Sequence, residues 1–142
     1  MRTRRGFRAL ARWAAPLAIG MLAGAGGMHV LEAQTPSVKR IPLTKVDLTG
    51  VEGKEIYVTM LEAQPGSGFP AHIHYGDEIV YLIEGSMEGV IEESPKPLKD
   101  GEVLHIPREK VHSAKVTGST VAKVLAVHIV DKGKPLAEPV KK

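Results

Sequence analysis

The feature that most constrains this chain is a succession of short segments of alternating polarity, each closed by glycine, proline or a polar turn, between Ile41 and Val130. In EIYVTMLEA, Ile56, Val58 and Met60 fall on one face and Tyr57, Thr59 and Leu61 on the other, which is the period of a β-strand. EIVYLIEG, SMEGVIEE, EVLHIP, VHSAKV and TVAKVLAVHIV follow, the last apolar on both faces towards its end. IPLTKVDLTG precedes them, and Pro42 marks it as an edge strand. About eight short strands without a helical segment predict an antiparallel sandwich or barrel. EIVYLIEG and SMEGVIEE read as a hairpin turning at Glu84, Gly85 and Ser86, and SPKPLKDG as a loop turning at Lys99, Asp100 and Gly101.

The chemistry concentrates between Gly66 and Gly85, in GSGFPAHIHYGDEIVYLIEG. On a strand, residues two apart point the same way, so His72 and His74 share a face. Gly76 and Asp77 read as a bend, after which Glu78 opens the next apolar run. His112 lies further on, in GEVLHIPREKVHSAKV. Two imidazoles and a carboxylate in one cavity suit a first-row divalent metal with positions left for water or substrate. The same HxH spacing also describes two solvent-facing histidines on a polar strand, and the spacing alone does not choose between them.

The surrounding residues resemble the two motifs of the cupin superfamily. The first, G(x)5HxH(x)3,4E(x)6G, is met by Gly66, His72, His74, Glu78 and Gly85 with every gap in place. The second, G(x)5PxG(x)2H(x)3N, is met at Gly101, Pro107 and His112 but has Glu109 in place of Gly and Val116 in place of Asn. The resemblance covers about residues 50–130. It implies an all-β double-stranded β-helix, the cupin jelly-roll barrel, with His72, His74, Glu78 and His112 as metal ligands. It also implies a homodimer. His105 and His128 read instead as packed, rim or interface residues, either of which is able to orient a ligand's tautomer.

The net charge of +3 does not describe the folded part. Residues 1–33 hold five arginines against Glu32, which leaves 14 basic and 15 acidic residues elsewhere. The basic excess therefore gives no argument for a nucleic-acid partner. Thr3-Arg4-Arg5-Gly6-Phe7 resembles a twin-arginine export signal, followed by a modestly apolar stretch from Trp13 to Leu31 that Pro16 interrupts. The expected organisation is a signal peptide at 1–33, a cupin domain at 34–130 and a C-terminal tail at 131–142, lying over the surface or disordered. Cleavage after Ala33 or Ala25 would give a periplasmic protein whose only membrane encounter is its passage through the export machinery. The alternative is an uncleaved N-terminal anchor. The absence of cysteine excludes disulfides and thiolate metal sites.

The donor set favours Fe, Mn, Ni, Cu or Zn. A leader that exports folded protein favours Mn or Fe, loaded before export. Two classes of function remain open. One is a metal-dependent enzyme on a small molecule; on resemblance this is a dioxygenase of the quercetinase or acireductone type, or an isomerase or decarboxylase. The other is a non-catalytic protein that binds a metal or a small ligand.

Overall fold

The computed structural model describes residues 37–140, and the expected leader at 1–33, with its twin-arginine reading, lies outside the described residues. Ten strands follow in chain order: β1 (Val38–Asp47), β2 (Lys54–Ala63), β3 (Gly68–Ile73), β4 (Gly76–Glu84), β5 (Ser86–Ile91), β6 (Ser94–Lys99), β7 (Val103–Ile106), β8 (His112–Val116), β9 (Ala122–Asp131) and β10 (Glu138–Pro139). They form two five-stranded sheets, ordered β1-β2-β9-β4-β7 and β10-β3-β8-β5-β6. Every ladder in both sheets is antiparallel.

The topology is cupin-like, but the expected closed jelly-roll barrel is not formed. Each sheet ends at free edges, β1 and β7 in one and β10 and β6 in the other, and no ladder among the described residues joins one sheet to the other. The edge strands explain this. A backbone without an N–H cannot donate to a ladder, and Pro42 sits in β1, Pro95 and Pro97 in β6, and Pro139 in the two-residue β10. β7 is four residues long. Alternation alone had left sandwich and barrel open; the sheets choose the open arrangement.

Two local readings change for related reasons. Glu84, Gly85 and Ser86 are not a hairpin turn, because β4 and β5 belong to different sheets. They form a corner that carries the chain across. Gly85 has φ +107°, and a Cβ there would stand 2.9 Å from the Ala122 Cα, so the corner requires glycine. The supposed loop at Ser94–Lys99 is the edge strand β6. Its partner β5 reaches it through Glu92 and Glu93, both at positive φ, as a two-residue hairpin with right-handed strand twist demands.

The core draws on both sheets. Leu61, Leu82 and Val124 come from one, Met87, Leu98 and Val116 from the other, and all are buried. Along β9 the even-numbered residues from Ala122 to Val130 face inward. At Gly76, β9 approaches β4 so closely that a Cβ would meet the Ile129 carbonyl oxygen at 2.0 Å. Among the described residues no helix is long and apolar enough to cross a membrane.

The close approach at Gly76 is directly testable. Gly76→Ala should lower unfolding stability in urea by about 1–3 kcal/mol, the usual range for overpacking. This outweighs the gain of about 0.4–1 kcal/mol from a stiffer unfolded chain. An unchanged midpoint would show that β4 and β9 separate without cost.

Candidate metal centre

Register brings the site together. His72, near the end of β3, is opposite His112, the first residue of β8. Glu78, third in β4, is opposite His128 of β9. One sheet thus supplies a pair of imidazoles and the other a carboxylate beside an imidazole. His74 sits between them, just beyond β3, where the chain bends through Tyr75. The bend therefore falls before the expected Gly76–Asp77 position, and Gly76 is already paired with Val130. His72 and His74 meet edge to face, with ring centroids 4.8 Å apart.

One donor atom from each of His72, His74, Glu78 and His112 lies within 4.8 Å of the others. His72 is half-buried, and His74, Glu78 and His112 are 4%, 7% and 5% exposed. The outward nitrogens of the three histidines are all held by backbone. His72 Nδ1 donates to the Pro70 carbonyl at 2.8 Å, His112 Nδ1 to the Lys110 carbonyl at 2.9 Å, and His74 Nδ1 to the Leu136 carbonyl. A ring that donates from Nδ1 keeps its lone pair on Nε2 when neutral. That leaves the Nε2 atoms on the side away from the backbone acceptors, His74 Nε2 being bonded in turn to Glu78 Oε2.

Electrostatics and orphaned atoms fit the same use. Glu78 Oε2 lies 3.1 Å from His74 Nε2 and 3.2 Å from His112 Nε2, while Oε1 lies 3.2 Å from His128 Nε2. The His112 contact is off the angle of a hydrogen bond, so that buried nitrogen has no hydrogen-bonding partner among the described residues. A buried polar atom without a partner is costly, and a metal is the partner this donor set accommodates. Burial pushes the Glu78 carboxyl up, but His112, His128 and His74 around it hold it well below the usual range. Burial pushes His72 down to about 4. Burial also depresses His74, but the adjacent Glu78 outweighs it and the net shift is upward.

The second motif keeps its loop despite lacking its glycine. Glu109 takes φ +58°, the conformation glycine would supply, and its N–H donates to the His74 carbonyl at 3.0 Å. Arg108 pins the bend rather than facing the cluster: its guanidinium donates to the Tyr75 carbonyl at 2.9 Å and to Asp131 at 2.7 Å. Among the described residues of the tail, β10 pairs with β3 and the Tyr75 hydroxyl donates to Glu138. His105 is exposed and stands 3.3 Å from Asp77, away from the cluster. His128 joins the site through Glu78; its place in the inward row of β9, otherwise alanine and valine, was the signal for this.

The four side chains line a cavity of about 140 Å³ whose other walls are mostly apolar, among them Leu61, Val80, Met87, Leu98, Leu104 and Val124. Phe69 also lines it, and Tyr75 does not.

Comparison with known proteins agrees with this architecture. Residues 59–128, just under half of the chain, match the cupin domain family. Protein SchB of Streptomyces halstedii is 33% identical over 63 residues, covering 44% of this chain and 46% of SchB. The chain thus spans under half the length of that curated relative. Among solved structures, a cupin superfamily protein of Desulfitobacterium hafniense superposes with a TM-score of 0.57 at 18% identity, covering 67% of this chain and 79% of that one. The polyketide cyclase RemF of Streptomyces resistomycificus gives 0.57 at 21%, covering 74% and 72%. KdgF of a Halomonas species gives 0.55 at 16%, covering 67% and 81%. At these identities the structural likeness speaks for the fold alone. Residues 59–128 thus resemble the cupin domain family, and the fold is cupin-like.

Two outcomes follow from the geometry. In metal-free protein, NMR titration should place His72 near pH 4 and His74 above the ordinary histidine value of 6.5. A depressed histidine adds stability that is present above 6.5 and lost as pH falls towards 4; His74 works the other way, losing its contribution as pH rises through its raised pKa. His72→Ala should therefore flatten the acid loss between those two values, and an unchanged acid profile would refute the assignment. Separately, Glu109→Gly should raise the thermal midpoint slightly. Relief of about 1–2 kcal/mol of left-handed strain exceeds the entropic cost of about 0.5–1 kcal/mol for glycine. A lower midpoint would show that the Glu109 side chain contributes more than its backbone costs.

Proposed function

We propose that this chain is a metal-dependent enzyme acting on a small, largely apolar organic molecule, with dioxygenase-type oxidation the leading chemistry. His72, His74, Glu78 and His112 hold one divalent transition metal, Mn or Fe ahead of Ni, Cu or Zn. The observation that carries this reading is the convergence of three imidazoles and one carboxylate on the wall of a mostly apolar cavity. Four protein donors are fewer than an octahedral ion accepts, and all four face the space where a substrate would sit. A closed donor shell would have favoured storage.

When bound, the metal would supply Lewis-acid or one-electron chemistry to a molecule in the cavity. The chain's own residues do the rest. Backbone carbonyls at Pro70, Lys110 and Leu136 fix the imidazole tautomers. The aliphatic wall excludes water and takes up the apolar body of the substrate. Glu78 neutralises part of the ionic charge in a buried setting where water cannot.

The reading also takes residues 1–33 as an export leader, places the protein in the periplasm and makes it a homodimer; these parts rest on the sequence. N-terminal sequencing and light scattering of the exported protein check them, and an intact Met1 or a monomer would remove the respective part.

The main experiment is elemental analysis of protein exported by its own leader, beside a His72→Ala/His112→Ala variant. The expected result is about one Mn or Fe per chain, absent from the variant. Nitric oxide added to the Fe(II)-loaded protein should give an iron–nitrosyl signal, reporting an open position. Metal without that signal would favour the non-catalytic binding protein, and no metal in either protein would overturn the site.

A further inference from the structure

The outer faces of the two sheets differ in chemistry. An antiparallel sheet with one face on a core and the other in water alternates apolar and polar residues. The sheet that holds β5 and β8 obeys this: Lys115, Glu88 and Pro97 stand in register on its outer face, all exposed. The sheet that holds β4 and β9 does not. Ile41, Met60, Leu125, Tyr81 and Val103 are in register across all five of its strands, on the face away from the core. In the next row Val58, Val127 and Ile79 lie between Thr44 and His105. In the third, Val46, Ile56 and Ile129 end at Asp77. Val103 is 61% exposed, Val46 50% and Tyr81 39%. The rows on either side are charged, and their charges are paired: Lys39 with Glu62 at 3.3 Å and Lys123 with Glu84 at 2.7 Å on one side, Lys54 with Asp131 on the other.

A contiguous apolar patch with a polar rim has the anatomy of a docking surface. We propose that its occupant is the same face of a second copy of this chain, packed sheet on sheet in a dimer where each copy presents the same patch. This gives the homodimer read above its surface, and rests on that reading. Area supports a copy. Five strands about 4.8 Å apart and three rows about 6.8 Å apart span roughly 500 Å² of apolar face. The two charged rows bring it to roughly 800 Å², the share of one partner in a stable complex. Charge supports it too, because paired rows neither repel an identical face nor select an unlike one. Edge-to-edge pairing, the other route to a dimer, meets Pro42 in β1 and the four-residue β7 at the two edges of this sheet.

The test is sedimentation equilibrium on the exported protein, with Tyr81→Lys/Val103→Lys beside Glu88→Lys, which alters charge on the outer face of the other sheet. Wild-type protein should be a dimer. The double variant's dissociation constant should rise about hundredfold or more, because its lysines would be buried against an apolar face without a counter-charge. Glu88→Lys should leave the constant unchanged. A double variant as dimeric as wild type would overturn the surface and leave the homodimer reading standing. A monomeric wild type would overturn both and leave the face to an unlike partner. A readout that needs no variant is nitration of Tyr81 in wild-type protein. It should slow as concentration rises through the dissociation constant, while nitration of Tyr75, whose hydroxyl donates to Glu138, does not change. Nitration of Tyr81 at one rate in monomer and dimer would overturn the surface even where the double variant fails to fold.

Discussion

The site depends on one carboxylate kept ionised out of water. Removing a charge from solvent costs several kcal/mol even after relaxation, and Glu78 is almost fully buried. What offsets the cost is the ring of imidazoles around it: His74 and His112 near one oxygen, His128 near the other. A hydrogen bond to a charged acceptor is worth about 1.5–3 kcal/mol, so the one from His74 does not match the penalty alone and the nearby His128 and His112 rings are needed beside it. The cluster therefore stands as a unit. Each histidine is in turn oriented by something else, backbone carbonyls for three of them and Glu78 itself for His128, which binds the local chemistry to the register of both sheets.

That register is what the alternating crossings provide. Apart from β1–β2 and β5–β6, each pair of hydrogen-bonded neighbours comes from distant parts of the chain. A residue near position 72 is thereby set against one near 112, and one near 78 against one near 128. The corner at Gly85 and the tight pairing at Gly76 keep β4 level with β9, and a one-residue slip would turn Glu78 outward.

How much of this was legible depends on how local the cause is. The four clustered residues were readable because the motif spacing is local and chemically distinctive. The reason first given for His72 and His74, a shared strand face, is only half of the geometry, since His74 lies past the strand end and reaches the cluster through the bend. Alternation identified most strands but not their partners, which is why Glu84–Ser86 read as a hairpin and why closure into a barrel was expected. Prolines at 95 and 97 read as a loop although an edge strand tolerates them. His128 looked like a core residue because its role appears only when β9 is laid beside β4. The carbonyl of Leu136 had no sequence signal at all, since any residue carries one.

That carbonyl has a consequence for the order of events as the chain is made. His72, His74, Glu78 and His112 all leave the ribosome before Leu136, and β10 can pair with β3 only later still. Until then the His74 ring lacks the acceptor that fixes its proton on Nδ1. The orientation of the His74 ring thus depends on the segment around Leu136 being in place. The last residues described act as a latch on chemistry encoded some sixty residues earlier, a separation of 62 positions between His74 and its acceptor.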